Sequence, residues 1–144
     1  MKDEYQEIKE LLPHREPFLL VDRLVAVDEH GCIAEHLFRG DEQFFKGHFP
    51  HYPVVPGVLL IEMMAQSGGA GLREFGILPS DSLFMLGTVE KAKFRHQVRP
   101  GNLAVIEITN LRVSQVMIRQ SGIVKVNGRV AAEATWMCLV GSRQ

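Results

Sequence analysis

The sequence has little cysteine and no long apolar run. It contains two cysteines, Cys32 and Cys138, whose separation fits neither a zinc site nor a disulfide framework. We therefore expect two buried thiols in a reducing compartment. No apolar stretch reaches the roughly 20 residues that a membrane-spanning helix needs, and the charged residues 1–5 lack the apolar segment of a secretory signal. The predicted location is the cytoplasm, with no membrane as partner.

An excess of charge of either sign is also missing. The 144 residues carry a formal net charge of −1, and the pI is about 6.6. Proteins that hold nucleic acid by bulk electrostatics are strongly basic, so nucleic acid is not an expected partner. Apolar residues make up 46% of the chain and charged residues 23%. This composition and length suit a single globular domain over residues 1–144.

Hydrophobic spacing predicts the elements of the N-terminal half. A helix is predicted over residues 4–12, which end at a proline, and two strands over residues 18–27 and 32–39. Residues 40–56 contain two glycines and three prolines, too many for a regular element. We expect an ordered loop there. A long helix then follows from residue 57 to about residue 75.

The C-terminal half is rich in strand signals and is predicted to form an antiparallel meander of about four strands. Asn127-Gly128 is the dipeptide that a type I′ hairpin turn prefers. Strands are predicted over residues 90–95, 102–113, 116–126 and 129–140.

The long helix is apolar on every side in its first three turns, except at Glu62. One sheet face cannot cover every side of such a helix. The sequence therefore predicts an α+β fold in which an antiparallel sheet wraps the helix, and a second copy of the chain that completes the cover. Gly68, Gly69 and Gly71 are costly within a helix. They suggest either close approach of another backbone or the fraying end of the helix.

Glu62 is the residue that most needs an explanation, because a carboxylate among apolar side chains is costly unless paired, hydrogen-bonded or protonated. Gln66 lies four residues later on the same helical face and can hydrogen-bond to it. The Gly57 N–H lies at the helix N-terminus, where N–H groups lack partners and the dipole favours negative charge. It is a candidate oxyanion donor, although an ordinary helix start explains it better when the helix is considered alone.

Two of the six histidines lie in the loop of residues 40–56 and could partner Glu62. His48 is the natural candidate and His51 competes with it, since spacing alone does not decide between them. His14 follows a helix stop and is expected to cap or pack locally. The remaining three are expected to be structural, and no three histidines show metal-ligand spacing: His30, His36 and His96.

Several segments are specific enough to carry a resemblance. They are Leu-Pro-His-Arg at 12–15, Pro-Phe-Leu-Leu-Val-Asp-Arg at 17–23, Phe-Lys-Gly-His-Phe-Pro at 45–50, Pro-Val-Val-Pro-Gly-Val at 53–58 and Ile-Glu-Met-Met-Ala-Gln at 61–66. Residues 93–95, 99–101 and 127–134 extend the match. Together these segments resemble the (3R)-hydroxyacyl-[acyl-carrier-protein] dehydratases of fatty-acid synthesis, over nearly the whole chain.

The resemblance implies a hot-dog fold and a role for each candidate. It makes His48 the catalytic histidine rather than His51, Glu62 the catalytic acid, and the Gly57 amide the donor to the thioester carbonyl, with no cofactor and no metal. A glutamate on the helix and a short chain resemble the subgroup that does not isomerise the double bond. The resemblance also implies an active site built across a homodimer interface, within a dimer or a trimer of dimers, and an acyl carrier protein as partner.

Two surfaces are open to more than one interpretation. Lys91, Lys93, Arg95 and Arg119 are candidates for receiving an acidic carrier protein, and a solvated strand face explains them equally well. An acyl tunnel lined by Met63, Met64, Phe45 and Phe49 competes with an ordinary core.

Two other functions remain as alternatives. A hot-dog thioesterase would use the helix carboxylate for hydrolysis, but it gives no account of the Gly-His-Phe-Pro loop. A non-catalytic acyl-binding paralog would bind acyl thioesters without converting them, although both His48 and Glu62 are present. The sequence does not specify the acyl chain length.

Overall fold

The computed structural model describes residues 4–79 and 81–142 of the chain. It contains two α-helices, one 3-10 helix and six strands within those residues. In chain order they are α1 (Ile8–Leu11), β1 (Arg23–Asp28), β2 (Gly31–Leu37), the 3-10 helix (Gln43–Lys46), α2 (Gly57–Phe75), β3 (Ser82–Phe94), β4 (Leu103–Val113), β5 (Met117–Val126) and β6 (Arg129–Ser142).

The strands form one antiparallel sheet in the order β1-β2-β4-β5-β6-β3. Helix α2 contacts all six strands of this sheet. The inner face of β6 supplies Ala132, Ala134, Trp136 and Cys138 to the core, as the alternation of the sequence predicts. A long helix wrapped by an antiparallel sheet is the α+β hot-dog fold, so this prediction is confirmed.

The predicted meander is wrong in two respects. Strand β3 pairs with β6 and not with β4, the next strand along the chain. It also begins at Ser82, well before the predicted strand at residues 90–95. The chain leaves α2 at the far side of the sheet, so β3 starts at that edge and the remaining strands fill the space between. Near its end, Lys91 has φ 53° and a bulge interrupts the pairing, so simple alternation does not continue through residues 90–95.

The N-terminal predictions were too long. Helix α1 covers only Ile8–Leu11, and β1 begins at Arg23 and not at residue 18. Residues 18–20 are instead fixed by a side chain, because Gln66 Oε1 accepts the Leu20 N–H at 2.9 Å and Gln66 Nε2 donates to the Phe18 carbonyl at 2.9 Å. A side chain 46 residues away in sequence thus replaces the hydrogen bonds of a strand partner.

Helix α2 matches the predicted bounds, and Gly76 ends it in a left-handed conformation (φ 92°). Both explanations for its glycines are wrong, because the helix is intact there and side chains, not a backbone, approach it. A Cβ at Gly68 would collide with the Gln120 amide, and one at Gly69 with the Phe84 ring. A Cβ at Gly71 would lie 2.6 Å from Cys32 Sγ.

Parts of this protomer remain uncovered. The side chain at Val58, in the first turn of α2, is 70% exposed, and β3 carries exposed apolar residues that include Val89 and Phe94. Both cysteines are buried and free, as predicted. Neither α1 nor α2, the α-helices of the described residues, is long and apolar enough to cross a membrane.

Candidate active site

His48 lies in the loop between the 3-10 helix and α2, and backbone groups hold it. Its N–H donates to the Phe44 carbonyl at 3.1 Å, and its carbonyl accepts the Val54 N–H at 2.8 Å. The imidazole is half-buried, with Nδ1 lying 3.0 Å from the Val54 carbonyl oxygen. A carbonyl can only accept, so Nδ1 carries the proton in this bond. In the neutral ring the lone pair is then on Nε2, which makes this nitrogen available as a base.

Gly57 is the first residue of α2, and the chain reaches it through an anchored loop. The Val55 N–H donates to the Val98 carbonyl at 2.8 Å just before the helix begins. Among the residues that the structure describes, none accepts a hydrogen bond from the Gly57 N–H. The Phe94 ring covers this position, since a Cβ at Gly57 would lie 2.8 Å from Phe94 Cε1. A cavity of about 460 Å³ opens beside Gly57 and Phe94.

Glu62 lies one and a half turns further along α2 and is held by Gln66. Gln66 Nε2 donates to Glu62 Oε2 at 2.9 Å, and the Gln66 side chain has no exposed surface. The Glu62 side chain is 21% exposed. Burial raises the pKa of the Glu62 carboxyl, and the hydrogen bond from Gln66 opposes part of that rise. The expected orientation of Glu62 by Gln66 is therefore present in the structure.

His14 is a neighbour of Glu62 that sequence reasoning missed. Its Nε2 lies 3.8 Å from Glu62 Oε2, and its side chain is 20% exposed. Burial, aided by the nearby positive charges of Arg73 and Arg15, lowers the pKa of His14, so its ring is neutral. We expected local capping or packing, because nothing in the spacing of residues 14 and 62 relates them. The one available signal was that both lie within the segments that carried the resemblance.

The structure does not join His48 and Glu62 within this chain. No hydrogen bond or ion pair connects His48 with Glu62 in the described part of the chain. The cavity beside Gly57 and the smaller cavity beside Glu62 and His14 share no lining residue. The two candidate groups for acid–base chemistry, His48 and Glu62, are thus each oriented by other residues but not joined to one another.

The remaining candidate residues differ in their exposure to solvent. His51 is exposed in the same loop as His48. Met63, Met64 and Phe45 are buried in the core, which favours the core interpretation over a tunnel. The side chain of Phe49 is 52% exposed and stacks on the His48 ring.

The basic candidates divide into two pairs. Arg95 and Arg119 lie within ion-pair distance of Glu133 and Glu90, at 3.2 Å and 3.4 Å. Lys91 and Lys93 are exposed near the end of β3. No cluster of three or more histidine, cysteine or carboxylate side chains that could hold a metal ion occurs in residues 4–79 and 81–142.

Comparison with known proteins identifies the class to which this fold and site belong. The model of the FabA-like domain matches residues 12–135. The chain therefore belongs to the FabA-like family of hot-dog proteins. Similar relatives named 3-hydroxyacyl-[acyl-carrier-protein] dehydratase FabZ occur in Pectobacterium atrosepticum and Salmonella arizonae. Each is 40% identical over 135 residues, which cover 92% of this chain and 89% of the relative.

Solved structures support the fold at lower sequence identity. The dehydratase heterocomplex ApeI:P from Xenorhabdus doucetiae aligns with a TM-score of 0.78 and 20% identity, over 98% of this chain and 93% of that one. A thioesterase from Haemophilus influenzae aligns with a TM-score of 0.59 and 11% identity, over 83% and 78% of the two chains. At these identities the likeness concerns the fold, which dehydratases and thioesterases share.

Proposed function

We propose that the protein dehydrates (3R)-3-hydroxyacyl thioesters, carried by an acyl carrier protein, to trans-2-enoyl thioesters. The observation that carries this proposal is the state of Glu62, a half-buried carboxyl of raised pKa that Gln66 orients. A general acid must hold its proton until the leaving group takes it, and burial shifts the pKa of Glu62 in the direction that favours the protonated form. The 40% identity to relatives named 3-hydroxyacyl-[acyl-carrier-protein] dehydratase FabZ supports the same reaction.

The reaction removes water across C2 and C3 of the substrate. His48 Nε2 takes a proton from C2, while Glu62 gives its proton to the 3-hydroxyl, which leaves as water. The C2–H and C3–O bonds break and a C2–C3 double bond forms. Afterwards His48 is protonated and Glu62 is ionised, and proton exchange with solvent restores both. These steps use no cofactor, and the double bond remains between C2 and C3.

Negative charge develops on the thioester oxygen when the C2 proton leaves. The Gly57 N–H, at the N-terminus of α2, is free to donate to that oxygen, and the helix dipole adds to the stabilisation. A side chain at residue 57 would displace the Phe94 ring, which lies against this position. Because residue 57 is glycine, the Phe94 ring can lie directly against the N–H group that is the proposed oxyanion donor.

We further propose that the working unit is a homodimer, in which His48 of one protomer acts with Glu62 of the partner subunit. The two residues are not bonded to one another within a protomer, and the first turn of α2 is exposed at Val58. Strand β3 lies at an edge of the sheet and presents 13 residues to a possible partner strand. A long exposed edge is a ready template for pairing with a second copy.

The reaction itself is tested by kinetics on purified protein. His48→Ala and Glu62→Gln are each expected to lower kcat by about 10²- to 10⁴-fold, because each removes one acid–base group. Hydration of an enoyl thioester can be followed by the loss of its ultraviolet absorbance. Near-normal rates in both variants would contradict the mechanism. Release of free thiol would indicate a thioesterase, and binding without turnover would indicate an acyl-binding paralog.

A mixing experiment tests the shared site. His48→Ala and Glu62→Ala protomers are each inactive, but a mixed dimer contains one site with both groups intact and one with neither. Random exchange of subunits should therefore restore about one quarter of wild-type activity. Mixing His48→Ala protein with His48→Asn protein is the matched control and should restore nothing. Failure of the first mixture to recover activity, despite proven subunit exchange, would contradict a site built across the interface.

The remaining proposals concern partner and place. The exposed amines of Lys91 and Lys93 are better suited to receive an acidic carrier protein than Arg95 and Arg119, whose charges are already paired. We also infer that residues 1–144 act as one domain in the cytoplasm. Assembly of the dimer into a trimer of dimers is open to measurement by analytical ultracentrifugation.

A further inference from the structure

We propose that Phe84 sets the length of the acyl chain, by closing a chamber that begins at Glu62. The inference rests on the proposed dehydration and specifies its substrate class as short 3-hydroxyacyl chains. The chamber has a volume of about 240 Å³. Beyond Glu62 and His14, its walls include Ala65 of α2, Phe84 and Leu86 of β3, and Cys138 of β6.

The position of the chamber follows from the chemistry at C3. Glu62 must reach the 3-hydroxyl, so the acyl tail, which begins at the next carbon, starts beside Glu62. An apolar tail requires apolar contacts, and Ala65, Phe84 and Leu86 supply the apolar part of a lining that also includes His14 and Glu62. The thiol of Cys138 is also an uncharged wall, since burial raises its pKa to about 12. Ligand pockets commonly measure about 300–1,000 Å³, so a chamber below that range suits a short tail.

Phe84 forms the end wall because α2 has no side chain where its ring lies. Three atoms of the ring occupy the space in which a Cβ at Gly69 would stand. Glycine at residue 69 therefore allows the ring to press against the helix backbone. Any larger residue at this position would force the ring away from the helix backbone, and we expect it to move into the chamber.

The Phe84 ring also contacts a buried charge. The guanidinium carbon of Arg73 lies 5.0 Å from the ring centroid, within the range of a cation–π contact. Arg73 is buried and donates to the carbonyl oxygens of Leu11 and Ser82. An alkyl chain that passed the ring would meet this buried charge and its hydrogen bonds, which is unfavourable. The chamber therefore ends at the ring.

The experiment measures kcat/KM for 3-hydroxyacyl thioesters of graded length. Phe84→Ala removes the ring that forms the end wall. The length ratio is defined as kcat/KM for the shortest chain that the wild type rejects, divided by kcat/KM for a short chain. In Phe84→Ala this ratio should rise by about 10-fold or more. Gly69→Ala should move the same ratio in the opposite direction, because the new Cβ displaces the ring into the chamber. Phe84→Leu serves if Phe84→Ala does not fold.

Gly71→Ala is the matched control. It is the same substitution in the same helix, but its Cβ meets Cys32 Sγ on the side of the sheet, away from the chamber. Stability should fall while the length ratio stays at the wild-type value. Equal ratios in the Phe84, Gly69 and Gly71 variants would overturn the inference and leave the dehydration intact.

A binding measurement separates this inference from the reaction. Non-reactive saturated acyl thioesters of graded length should raise the Tm of the Glu62→Gln variant up to a limiting length. The added substitution Phe84→Ala should extend that limit. Absence of turnover by the wild-type protein at every length would contradict the proposed function, whereas an unchanged limit for binding would overturn the role of Phe84.

Discussion

The base and the acid of the candidate site are held in different ways. His48 belongs to a loop, and its Nδ1 bonds to the carbonyl of Val54, six residues away. Glu62 belongs to a buried helix turn, and Gln66 connects it to backbone groups of residues 18–20, more than 40 residues away. Local backbone geometry thus positions His48, the proposed base, while long-range packing positions Glu62, the proposed acid, and raises its pKa.

This difference indicates which changes the fold tolerates. A substitution at His48 removes the proposed base but leaves most hydrogen bonds of the surrounding loop in place. A change at Gln66 removes a side chain that satisfies a donor, an acceptor and a carboxyl at once. Substitution of His48 should therefore lower activity without lowering stability, whereas substitution of Gln66 should lower both.

The largest expected effect on activity is at His48. His48→Asn retains a side-chain donor that can reach the Val54 carbonyl but has no second ring nitrogen. We expect a loss of about 10²- to 10⁴-fold in kcat, with a Tm close to wild type. Exposed His30→Asn is the control and should be neutral in both respects. A large loss of Tm in His48→Asn would show that the loop depends on more than local bonds.

Gln66→Leu should reduce activity and stability together. It leaves the buried Leu20 N–H without its partner, which costs about 1–3 kcal/mol of unfolding free energy. The hydrogen bond to the carbonyl of Phe18, which is half-exposed, is broken as well. It also frees the Glu62 carboxyl, so kcat should fall. Urea denaturation and steady-state kinetics on one sample measure both effects. Wild-type stability with low kcat would contradict the shared role of this side chain.

The raised pKa of Glu62 predicts the direction of a pH dependence. A group whose pKa is higher in the folded state contributes stability that is full below its unfolded pKa, near 4.5, and is lost as pH rises through the folded value. Glu62→Gln removes this dependence. The unfolding free energy of the wild type should therefore decline relative to that of Glu62→Gln as pH increases above about 4.5. A constant difference between the two curves would contradict the raised pKa.

His14 should have a smaller effect, confined to the acid side. Its neutral ring lies close to Glu62 Oε2, and removing it admits water beside the carboxyl, which lowers the pKa of Glu62. The basic limb of the profile of kcat against pH should move to lower pH in His14→Ala, and His14→Gln should restore part of the shift. Equal profiles for wild type and His14→Ala would assign His14 a purely structural role.

The smallest expected effect is on carrier recognition. Replacing Lys91 and Lys93 with Glu should raise KM for a carrier-bound substrate and leave KM for a small thioester unchanged, with a dependence on salt. The same changes at Arg95 and Arg119 are the comparison, since their charges are already paired. An unchanged KM for the carrier-bound substrate would exclude docking at the end of β3.

The amino-acid sequence determined the features that depend on local order. The bounds of α2 and the (i, i+4) pairing of Glu62 with Gln66 follow from spacing along one element, and the structure bears them out. The loop predicted over residues 40–56 is wrong in part, because the 3-10 helix Gln43–Lys46 lies within it. The tertiary structure alone decided the features that join distant segments. These are the pairing of β3 with β6, the contact of the Phe84 ring with the helix backbone at Gly69, and the proximity of His14 to Glu62. Spacing specifies which residues share a face, but only the packed chain specifies which faces meet.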